Sequence, residues 1–239
     1  MLSIIIPTLN ESKTGYLSKI LNAYKVLPDI EVICVDGGST DNTISLIQQS
    51  DACLLNTNIN SRAGRLNAGI KQAKFHMILL HHPRSLVDID GIKALANLPP
   101  EMCWGAFTHQ FDFQHPLLKF TSWYSNRIRG DCRGVYYLDH CLFSEKQLLL
   151  DIGLVPEIDI FEDTELCLRL KRQAKPNRLA FVSLTSAVRF QSQGIYRQAL
   201  KNQYLKWLYY FKRSDKEMNQ LYEKGLELNT EYDNKDNHK

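Results

Sequence analysis

Apolar and polar positions alternate along the first 80 residues in blocks whose period changes from one block to the next. Short apolar runs bounded by polar, proline- or glycine-containing loops predict buried strands at residues 3–6, 31–35, 52–55 and 76–80. Segments of helical period between them predict helices at residues 16–26, after residue 41 and at residues 67–74. Strands that alternate with helices predict a parallel sheet with right-handed crossovers.

In such a sheet, ligands bind at the loops that leave the carboxyl ends of the strands. We therefore expect one crevice to form where four polar loops converge, namely those after Ile6, Val35, Leu55 and Leu80.

The second half of the chain is less regular. Its pattern predicts strands at residues 104–113, 136–143 and 180–184, and helices at residues 117–128, 161–172 and 195–213. After Ser214 the composition becomes polar, which predicts a partly disordered tail over residues 214–239, with disorder at residues 229–239. No internal repeat or linker divides the chain.

Composition narrows the function classes. With 239 residues, of which 44% are hydrophobic and 23% charged, the chain is long enough for one sizeable soluble α/β domain. A formal charge of +3 is too small to indicate nucleic-acid binding, and no run approaches the ~18 apolar residues that span a bilayer. The first residues lack the basic region of a signal peptide, so we expect a cytoplasmic protein. Its six cysteines form no C-x-x-C pair, and we expect reduced thiols, with Cys34 and Cys167 buried.

Residues 35–41, Val-Asp-Gly-Gly-Ser-Thr-Asp, follow the second predicted strand. An acid at the end of a buried strand, here Asp36, can accept hydrogen bonds from a base or a ribose. Glycines such as Gly38 let a ligand approach the backbone, and the helix that follows favours an anion at its N-terminus. The alternative is a tight turn in which Asp41 only caps the helix.

Two other loops carry comparable signals. Residues 7–11, Pro-Thr-Leu-Asn-Glu, follow the first strand and are placed to contact the same ligand, or else form a loop with a helix cap. Arg62 and Arg65 stand among small residues, a composition that suits a diphosphate. The alternative for these arginines is a solvated basic turn.

An acidic pair, Glu162 and Asp163, opens the predicted helix at residues 161–172. Paired acids at a helix start are commonly caps and partners of the helix dipole. If they face the crevice, one of them can act as a general base.

The order and spacing of these four segments resemble the family 2 glycosyltransferases of the GT-A fold. Residues 3–11, 35–41 and 62–69, and then Glu162-Asp163, are similar to the family's S-I-I-I-P-T-L-N-E, V-D-G-G-S-T-D, R-A-x-x-x-N-x-G and E-D segments. Arg189-Phe190 and residues 195–213 resemble the closing part of the bacterial selenium-domain-associated glycosyltransferases. The similarity covers about residues 2–213.

This resemblance implies an α/β domain of the GT-A fold over residues 1–213, with a mainly parallel central sheet flanked by helices. Residues 1–98 are then the nucleotide-binding half, and residues 99–213 are the acceptor half with a closing helix.

The resemblance also implies a nucleotide-diphosphate sugar as donor and inverting transfer to an acceptor hydroxyl, on a glycan or a lipid-linked molecule. Asp36 is expected to hold the base, and Asp163 to deprotonate the acceptor. The remaining donor-site residues that it implies are Pro7, Thr8, Asn10, Glu11, Gly38, Ser39 and, near the diphosphate, Arg62, Arg65 and Asn67. Further candidates for contact with the acceptor or the diphosphate are Asp139, Glu162 and Arg189.

The end of the fourth predicted strand departs from the family pattern. The family has an acid there, in a D-x-D or, in the subgroup, an H-A-D, which holds Mg²⁺ or Mn²⁺ on the donor diphosphate. Here residues 80–84 are Leu-His-His-Pro-Arg, and Pro83, which cannot bind a metal, stands in place of the acid.

Three interpretations of this departure stay open. Arg84 can supply positive charge in place of the metal, as cations do at phosphoryl oxygens. Alternatively, His81, His82 and a distant acid such as Asp139 hold a different metal. The third interpretation is a catalytically degenerate binding or regulatory protein that keeps the fold, and it is the alternative to the leading prediction of glycosyl transfer.

Residues 195–213 carry five basic residues, no acid and six aromatic residues. This pattern is typical of a helix on an anionic membrane surface, at the inner face of a membrane, although packing against the sheet or a partner subunit explains the aromatics equally well. Residues 123–133 interleave aromatics with Arg127, Arg129 and Arg133, and fit either an acceptor site or a packing helix. A dinucleotide-dependent oxidoreductase is not expected, because no G-x-G-x-x-G follows the first strand.

Overall fold

The computed structural model describes residues 1–27, 29–99 and 101–223. Its strands are β1 (Leu2–Thr8), β2 (Ile30–Asp36), β3 (Cys53–Asn56), β4 (Met77–Leu80), β5 (Ser85–Val87), β6 (Trp104–Phe111), β7 (Leu142–Glu145) and β8 (Asn177–Thr185). Its α-helices are α1 (Tyr16–Tyr24), α2 (Thr43–Gln48), α3 (Arg62–Gln72), α4 (Ile89–Ala96), α5 (Pro116–Tyr124), α6 (Lys146–Asp151), α7 (Glu162–Leu170), α8 (Val188–Gln193), α9 (Ile195–Tyr210) and α10 (Asp215–Glu223). Short 3₁₀ turns lie at Ser12–Thr14 and Leu138–His140, and π-helical turns at Ser125–Cys132 continue α5.

The strands form one sheet in the order β3-β2-β1-β4-β7-β6-β8-β5. Strand β1 pairs in parallel with β2 and β4, and β2 pairs in parallel with β3, which confirms the predicted parallel arrangement of the first four strands. In the second half, β7 runs antiparallel to β4 and β6, and β5 runs antiparallel to β8. Only β6 and β8 are parallel there, so this part of the sheet is mixed.

Alternate residues of β1 supply two separate cores, because successive side chains of a strand point to opposite faces. Ile5 packs with the apolar face of α3, whereas Ile4 and Ile6 pack with α1 on the other side of the sheet. Helix α3 lies very close to the strand: a Cβ added to Gly69 would come within 2.4 Å of Ile5 Cγ2. Gly69 therefore sets the depth at which α3 sits, and with it the position of the arginines in the first turn of that helix.

The predicted strand at residues 136–143 is wrong. This stretch is a loop that contains the turn at Leu138–His140, and the strand starts only at Leu142. Tyr136 and Leu138 are buried, so the alternation of buried and less buried side chains is real. However, the carbonyl of Asp139 accepts hydrogen bonds from the hydroxyl groups of Ser85, Ser183 and Thr185, which keep this backbone out of the hydrogen-bond ladder of the sheet. Side-chain burial alone produced the strand-like pattern.

Several short elements have no counterpart in the predicted pattern: β5, α4, α6, α8 and α10. Helix α10 lies in the segment predicted as a polar tail, yet Met218 is buried with Leu205 and Ile160. Tertiary packing stabilises these elements, since isolated helices of this length are marginal in water. The disorder predicted at residues 229–239 lies outside the described residues.

Within the described ranges, no helix has both the length and the apolar character needed to cross a bilayer. All six cysteines are free thiols, and Cys34 and Cys167 are fully buried, as predicted.

Candidate active site

A cleft of about 270 Å³ lies at the carboxyl ends of β1 and β4. The first turn of α3, the start of α7, and the helices α8 and α9 complete its walls. Of the predicted site residues, the structure places eight in these walls: Pro7, Glu11, Arg62, Arg65, Arg84, Asp139, Asp163 and Arg189. Those outside the walls are Thr8, Asn10, Asp36, Gly38, Ser39, Asn67 and Glu162.

Asp36, at the end of β2, is fully buried and holds its own loop together. Its Oδ1 accepts the backbone N–H groups of Gly38 and Ser39 at 2.9 and 2.7 Å. Its Oδ2 accepts the hydroxyl groups of Thr8 at 2.9 Å and Ser39 at 2.6 Å. A base that binds this carboxylate would have to replace one of these donors. The Ser39 hydroxyl is the best suited to rotate away, because Ser39 is partly exposed whereas Thr8 is fully buried.

The loop after β1 is tied to the same turn. Asn10 has a left-handed backbone, with φ of 53°, its N–H donates to Ser39 Oγ at 2.9 Å, and its side-chain oxygen accepts the Thr40 N–H at 2.9 Å. The two predicted nucleotide loops therefore form one hydrogen-bonded unit beside the cleft.

Arg65 lies in the first turns of α3 and is 5% exposed. Its Nη1 donates to the carbonyl of Ile59, while its Nε has no hydrogen-bond partner. Within the described part of the chain, no carboxylate oxygen lies within ion-pair distance of this guanidinium. A Cβ on Gly37 would come within 2.3 Å of Arg65 Nη1, so this glycine makes room for the arginine. A buried cation in a cleft wall that forms no ion pair is suited to an anionic ligand.

Arg84 and Glu11 form a closed ion pair across the cleft floor. Arg84 Nε donates to Glu11 Oε2 at 2.7 Å and Nη2 donates to Oε1 at 3.0 Å, a fork-to-fork arrangement between side chains only 7% and 5% exposed. Burial raises the pKa of Glu11, and Arg84 opposes that rise. The positive charge of Arg84 is therefore largely balanced by a carboxylate of the protein.

The residues at the end of β4 do not fit a metal site. His81 is fully buried: its Nε2 accepts the hydroxyl of Tyr24 at 2.7 Å and its Nδ1 donates to the carbonyl of His82 at 2.9 Å. His82 Nδ1 accepts the backbone N–H of Arg84 at 3.1 Å. Across the residues that the structure describes, no three His, Cys, Asp or Glu side chains are grouped so that they could hold a metal ion. The interpretation in which His81, His82 and Asp139 bind a metal is therefore not supported.

Asp163 lies in the first turn of α7, in the cleft wall. Its Oδ2 accepts the backbone N–H of Leu138 at 2.9 Å. Burial, followed by the adjacent charge of Glu162, raises its pKa to about 6, and Arg62 opposes the rise. Glu162 is itself bound by Arg62 through Oε1, while its Oε2 has no hydrogen-bond partner. Asp163 thus combines exposure to the cleft with a pKa close to neutral, which suits a general base.

Asn67 has a different role from the predicted contact with the diphosphate. Its amide nitrogen donates to the carbonyl of Val155 at 2.9 Å, and its oxygen accepts the Val155 N–H at 2.9 Å. Both ends of the amide are occupied, and this side chain pins the loop before α7 to α3.

Asp139 faces the cleft from the loop before β7, and its side chain is 27% exposed. Burial opposes its ionisation, but the surrounding His109, His140 and Arg129 outweigh that effect and lower its pKa to about 2. Arg129 also stacks 3.4 Å from the centre of the Tyr137 ring, which lines the cleft. Of the three arginines in residues 123–133, this one supports the cleft, whereas Arg127 pairs with Asp131 at the surface.

Sequence reasoning missed the polar face of α9. Gln198, Asn202 and Lys206, each four residues apart, line the cleft together with Arg189, whose guanidinium lies 4.1 Å from the ring centre of Tyr222. Burial lowers the pKa of Lys206 to about 8, with Arg129 acting in the same direction. The i, i+4 spacing of these polar residues was the available signal, but the aromatic residues between them obscured it.

Comparisons with known proteins show which sequences and folds this chain resembles. Residues 3–81 match the family profile described as "Glycosyl transferase family 2". No curated protein sequence matches the chain.

Solved structures match over most of the chain. S. aureus TarS 1-349 has a TM-score of 0.64 at 17% identity, covering 92% of this chain and 68% of TarS 1-349. The mannosyltransferase PcManGT from Pyrobaculum calidifontis, in complex with GDP-Man and Mn²⁺, has a TM-score of 0.61 at 15% identity, covering 85% of this chain and 60% of its own. Glucosyl-3-phosphoglycerate synthase from Mycobacterium tuberculosis, in complex with Mn²⁺, UDP and glucosyl-3-phosphoglycerate, has a TM-score of 0.59 at 14% identity, covering 76% and 70%.

TarS has also been solved with UDP-GlcNAc, and in that comparison the chain covers 58% of the TarS structure. The chain therefore spans between about half and two thirds of several of the structures that it resembles. The described chain has the GT-A glycosyltransferase fold, and its residues 3–81 match the profile of glycosyl transferase family 2.

Proposed function

We propose that this protein transfers a sugar from a nucleotide-diphosphate donor to an acceptor hydroxyl, with inversion at the anomeric carbon. The observation that carries the proposal is Asp163, a carboxylate in the cleft wall whose pKa is raised to about 6, with Arg62 and Arg65 in the same cleft. A base and a set of cations are what this reaction requires.

In the proposed step, the acceptor oxygen attacks the anomeric carbon from the face opposite the diphosphate. The hydroxyl proton moves to an Asp163 carboxylate oxygen as the new C–O bond forms. The bond between the sugar and the diphosphate breaks, and its electron pair stays on the diphosphate oxygen. A base with a pKa of about 6 is ionised at neutral pH and still accepts a proton readily.

The charge that develops on the leaving diphosphate needs compensation. The structural relatives named above include Mn²⁺ complexes. In this chain Pro83 and a fully hydrogen-bonded His81 do not fit a metal ion, so we assign the compensation to side chains. Arg65, which has no acid partner among the described residues, and Lys206 from α9 are the principal candidates, with Arg62 beside them.

Arg84 has a secondary place in this proposal, because Glu11 already binds its guanidinium at two points. We assign it to shaping the cleft floor where the family's metal-binding acid would lie. Recognition of the base by the unit of Asp36, Ser39 and Asn10 completes the proposed donor site.

The narrower predictions belong to the same proposal: the similarity to selenium-domain-associated glycosyltransferases, a glycan or lipid-linked acceptor, and a cytoplasmic protein in contact with the inner face of a membrane. TarS and PcManGT have been solved with UDP-GlcNAc and GDP-Man respectively, which defines the first donors to test.

Isothermal titration of UDP, GDP and their sugar conjugates, each with Mn²⁺ and with EDTA, tests the proposal directly. We expect binding of one nucleotide series that is insensitive to EDTA, together with release of the nucleoside diphosphate when an acceptor extract is added. Binding that requires Mn²⁺ would overturn the metal-independent site. Binding without any turnover across the donor panel would favour the degenerate binding protein instead.

A further inference from the structure

Helix α9 departs from the usual amphipathic arrangement, in which the face toward the protein is apolar. Its polar side chains Gln198, Asn202 and Lys206 line the cleft, and Gln198 is only 1% exposed. Leu205, also in the cleft wall, is the buried apolar residue of this face. The polar face is explained by the cleft, so the opposite face needs its own explanation.

The solvent side of α9 carries a continuous apolar stripe. Its members recur every three or four residues and are between 57% and 72% exposed: Tyr196, Leu200, Tyr204, Trp207 and Phe211, the C-cap. At about 100° per residue, this spacing places all five within about 80° of the helix circumference. A stripe of large exposed side chains marks an interaction surface.

Helix α5 extends this stripe sideways. Phe120 and Trp123 are 58% and 52% exposed, and their rings lie 5.7 Å apart. The two helices meet at their N-terminal ends, where the rings of His115 and Tyr196 are 5.8 Å apart. The stripe of α9 together with Phe120 and Trp123 is called the aromatic face below.

Positive charge accompanies the aromatic face. Residues 195–213 contain five basic residues and no acid, and all but Lys206 lie outside the cleft wall. Lys212 and Arg213, both exposed, follow Phe211 directly at the end of the stripe.

We propose that the aromatic face docks on the surface of a bilayer that contains anionic lipids. Tryptophan and tyrosine favour the interfacial layer of a bilayer, and nearby lysine and arginine are attracted to its negative potential. A second copy of the chain is a poorer partner, because a two-fold interface built on α9 would bring its acid-free basic segments together.

Docking in this way would place α9 between the bilayer and the cleft. Since a helix with its side chains is about 10 Å across, the cleft would lie about one helix diameter from the lipid surface. Lys206 and Trp207, adjacent in sequence, would then face the cleft and the lipid respectively.

Brominated lipids test the geometry, because they quench only tryptophans that contact the bilayer. The chain has three tryptophans, of which Trp104 is fully buried and the other two belong to the aromatic face. With vesicles of brominated phosphatidylcholine and phosphatidylglycerol, we expect partial quenching of the wild-type protein. The double variant Trp123→Phe/Trp207→Phe is expected to bind and to show no quenching of its remaining Trp104.

Vesicle sedimentation tests separately the contributions of the apolar side chains and of the basic side chains to membrane binding. Trp207→Ser/Phe211→Ser is expected to lower partitioning at least tenfold, whereas Val26→Ser/Leu150→Ser, which removes exposed apolar side chains elsewhere, leaves it unchanged. Lys212→Gln/Arg213→Gln is expected to lower partitioning into anionic vesicles about 30-fold, at roughly fivefold per cation near the surface. The matched control is Lys71→Gln/Arg172→Gln, two exposed cations elsewhere, on α3 and in the turn that follows α7.

Three outcomes would overturn the proposal: no binding to anionic vesicles at low salt, equal losses in the control variants, or a dimer in solution that Trp207→Ser dissociates. None of these measurements uses a nucleotide or an acceptor. Failure of docking therefore leaves the proposed transfer activity standing, and an inactive protein can still dock.

Discussion

Two ion pairs lie in or beside the cleft walls, one buried and one with a partly exposed arginine, and they differ in how completely they are closed. Arg84 and Glu11 bind each other at two points, at 2.7 and 3.0 Å, and both carboxylate oxygens are used. Arg62 binds Glu162 through one oxygen, and the other has no hydrogen-bond partner. The closed pair neutralises its own charge. In the open pair, Glu162 adds to the effect of burial in raising the pKa of the adjacent Asp163, and Arg62 opposes that rise.

The difference distinguishes two regions of the cleft. We call Glu11 and Arg84 the structural corner, and Arg62, Glu162 and Asp163 the chemical corner. Beyond the end of β4, where the family resemblance led us to expect a metal-binding acid, the protein has a closed salt bridge. At the start of α7 it has two adjacent acids, Glu162 and Asp163, with an arginine bound to the first, which is the kind of environment that tunes the pKa of a catalytic base.

Asp163→Asn tests the chemical corner. Loss of a general base costs about 10²–10⁴-fold in rate, so we expect kcat to fall in that range while binding of the nucleoside diphosphate stays within twofold. Steady-state transfer assays with the best donor measure the first, and calorimetry the second. Asp90→Asn, at an exposed acid on α4, is the control; a comparable loss in that variant, or full activity in Asp163→Asn, would remove Asp163 from its role.

Glu11→Gln tests the structural corner. It leaves Arg84 buried without its counter-charge, and breaking a buried pair in this way destabilises a protein by about 3 kcal/mol. Urea unfolding should show the loss, and Glu11→Gln/Arg84→Met should recover a good part of it, since the unpaired charge is then gone. If Glu11→Gln has wild-type stability, the pair is not the closed unit described here.

The raised pKa of Asp163 has a consequence for stability that distinguishes the two corners. A carboxyl whose folded pKa is above its unfolded value favours folding while it is protonated, so this stabilisation is lost as pH rises from about 4 through 6. Asp163→Asn should therefore raise the free energy of unfolding by about 3 kcal/mol at pH 7 and by little at pH 4. Urea unfolding at the two pH values measures this; an equal effect at both would place the pKa in the ordinary range.

Arg65→Met addresses the cation that lies between the corners. One turn beyond Arg62 on α3 and without an acid partner among the described residues, it is proposed to bind the diphosphate. A hydrogen bond to a charged group is worth about 1.5 kcal/mol, so we expect roughly tenfold weaker binding of the nucleoside diphosphate. Titration calorimetry measures the change, with Lys71→Met on the exposed side of the same helix as control. Unchanged affinity would move the diphosphate elsewhere.

The first half of the fold was predictable because its elements are local. Residues 3–6 and 33–35 are buried on both faces in the structure, which is why Ile4–Ile6 and Ile33–Val35 appear as continuous apolar stretches. The loop at residues 136–143 was not predictable, because hydroxyl groups from β5 and β8, remote in sequence, decide its backbone path.

The candidate site divides in the same way. The presence of Arg62 and Arg65 near the crevice follows from their place after the third strand, at the start of a helix. That of Asp163 was implied only by the family resemblance. Three other features depend on distances between segments far apart in the chain. They are the hydrogen bond from Thr8 to Asp36, the bond from the Asn67 amide to Val155, and the ion pair between Glu11 and Arg84.

The sequence by itself determined the succession of strands and helices along the first half of the chain, and the polar loops that meet at one edge of the sheet. It also showed that Pro83 stands where the family resemblance implies an acid. Local periodicity and residue chemistry are sufficient for these features. Only the tertiary structure decided which charges are neutralised, which side chains remain available to a ligand, and that α9 turns its polar face inward. Each of these depends on burial and on partners supplied by other elements, because the free energy of a charge or an aromatic ring depends on its exposure to water and on its neighbours.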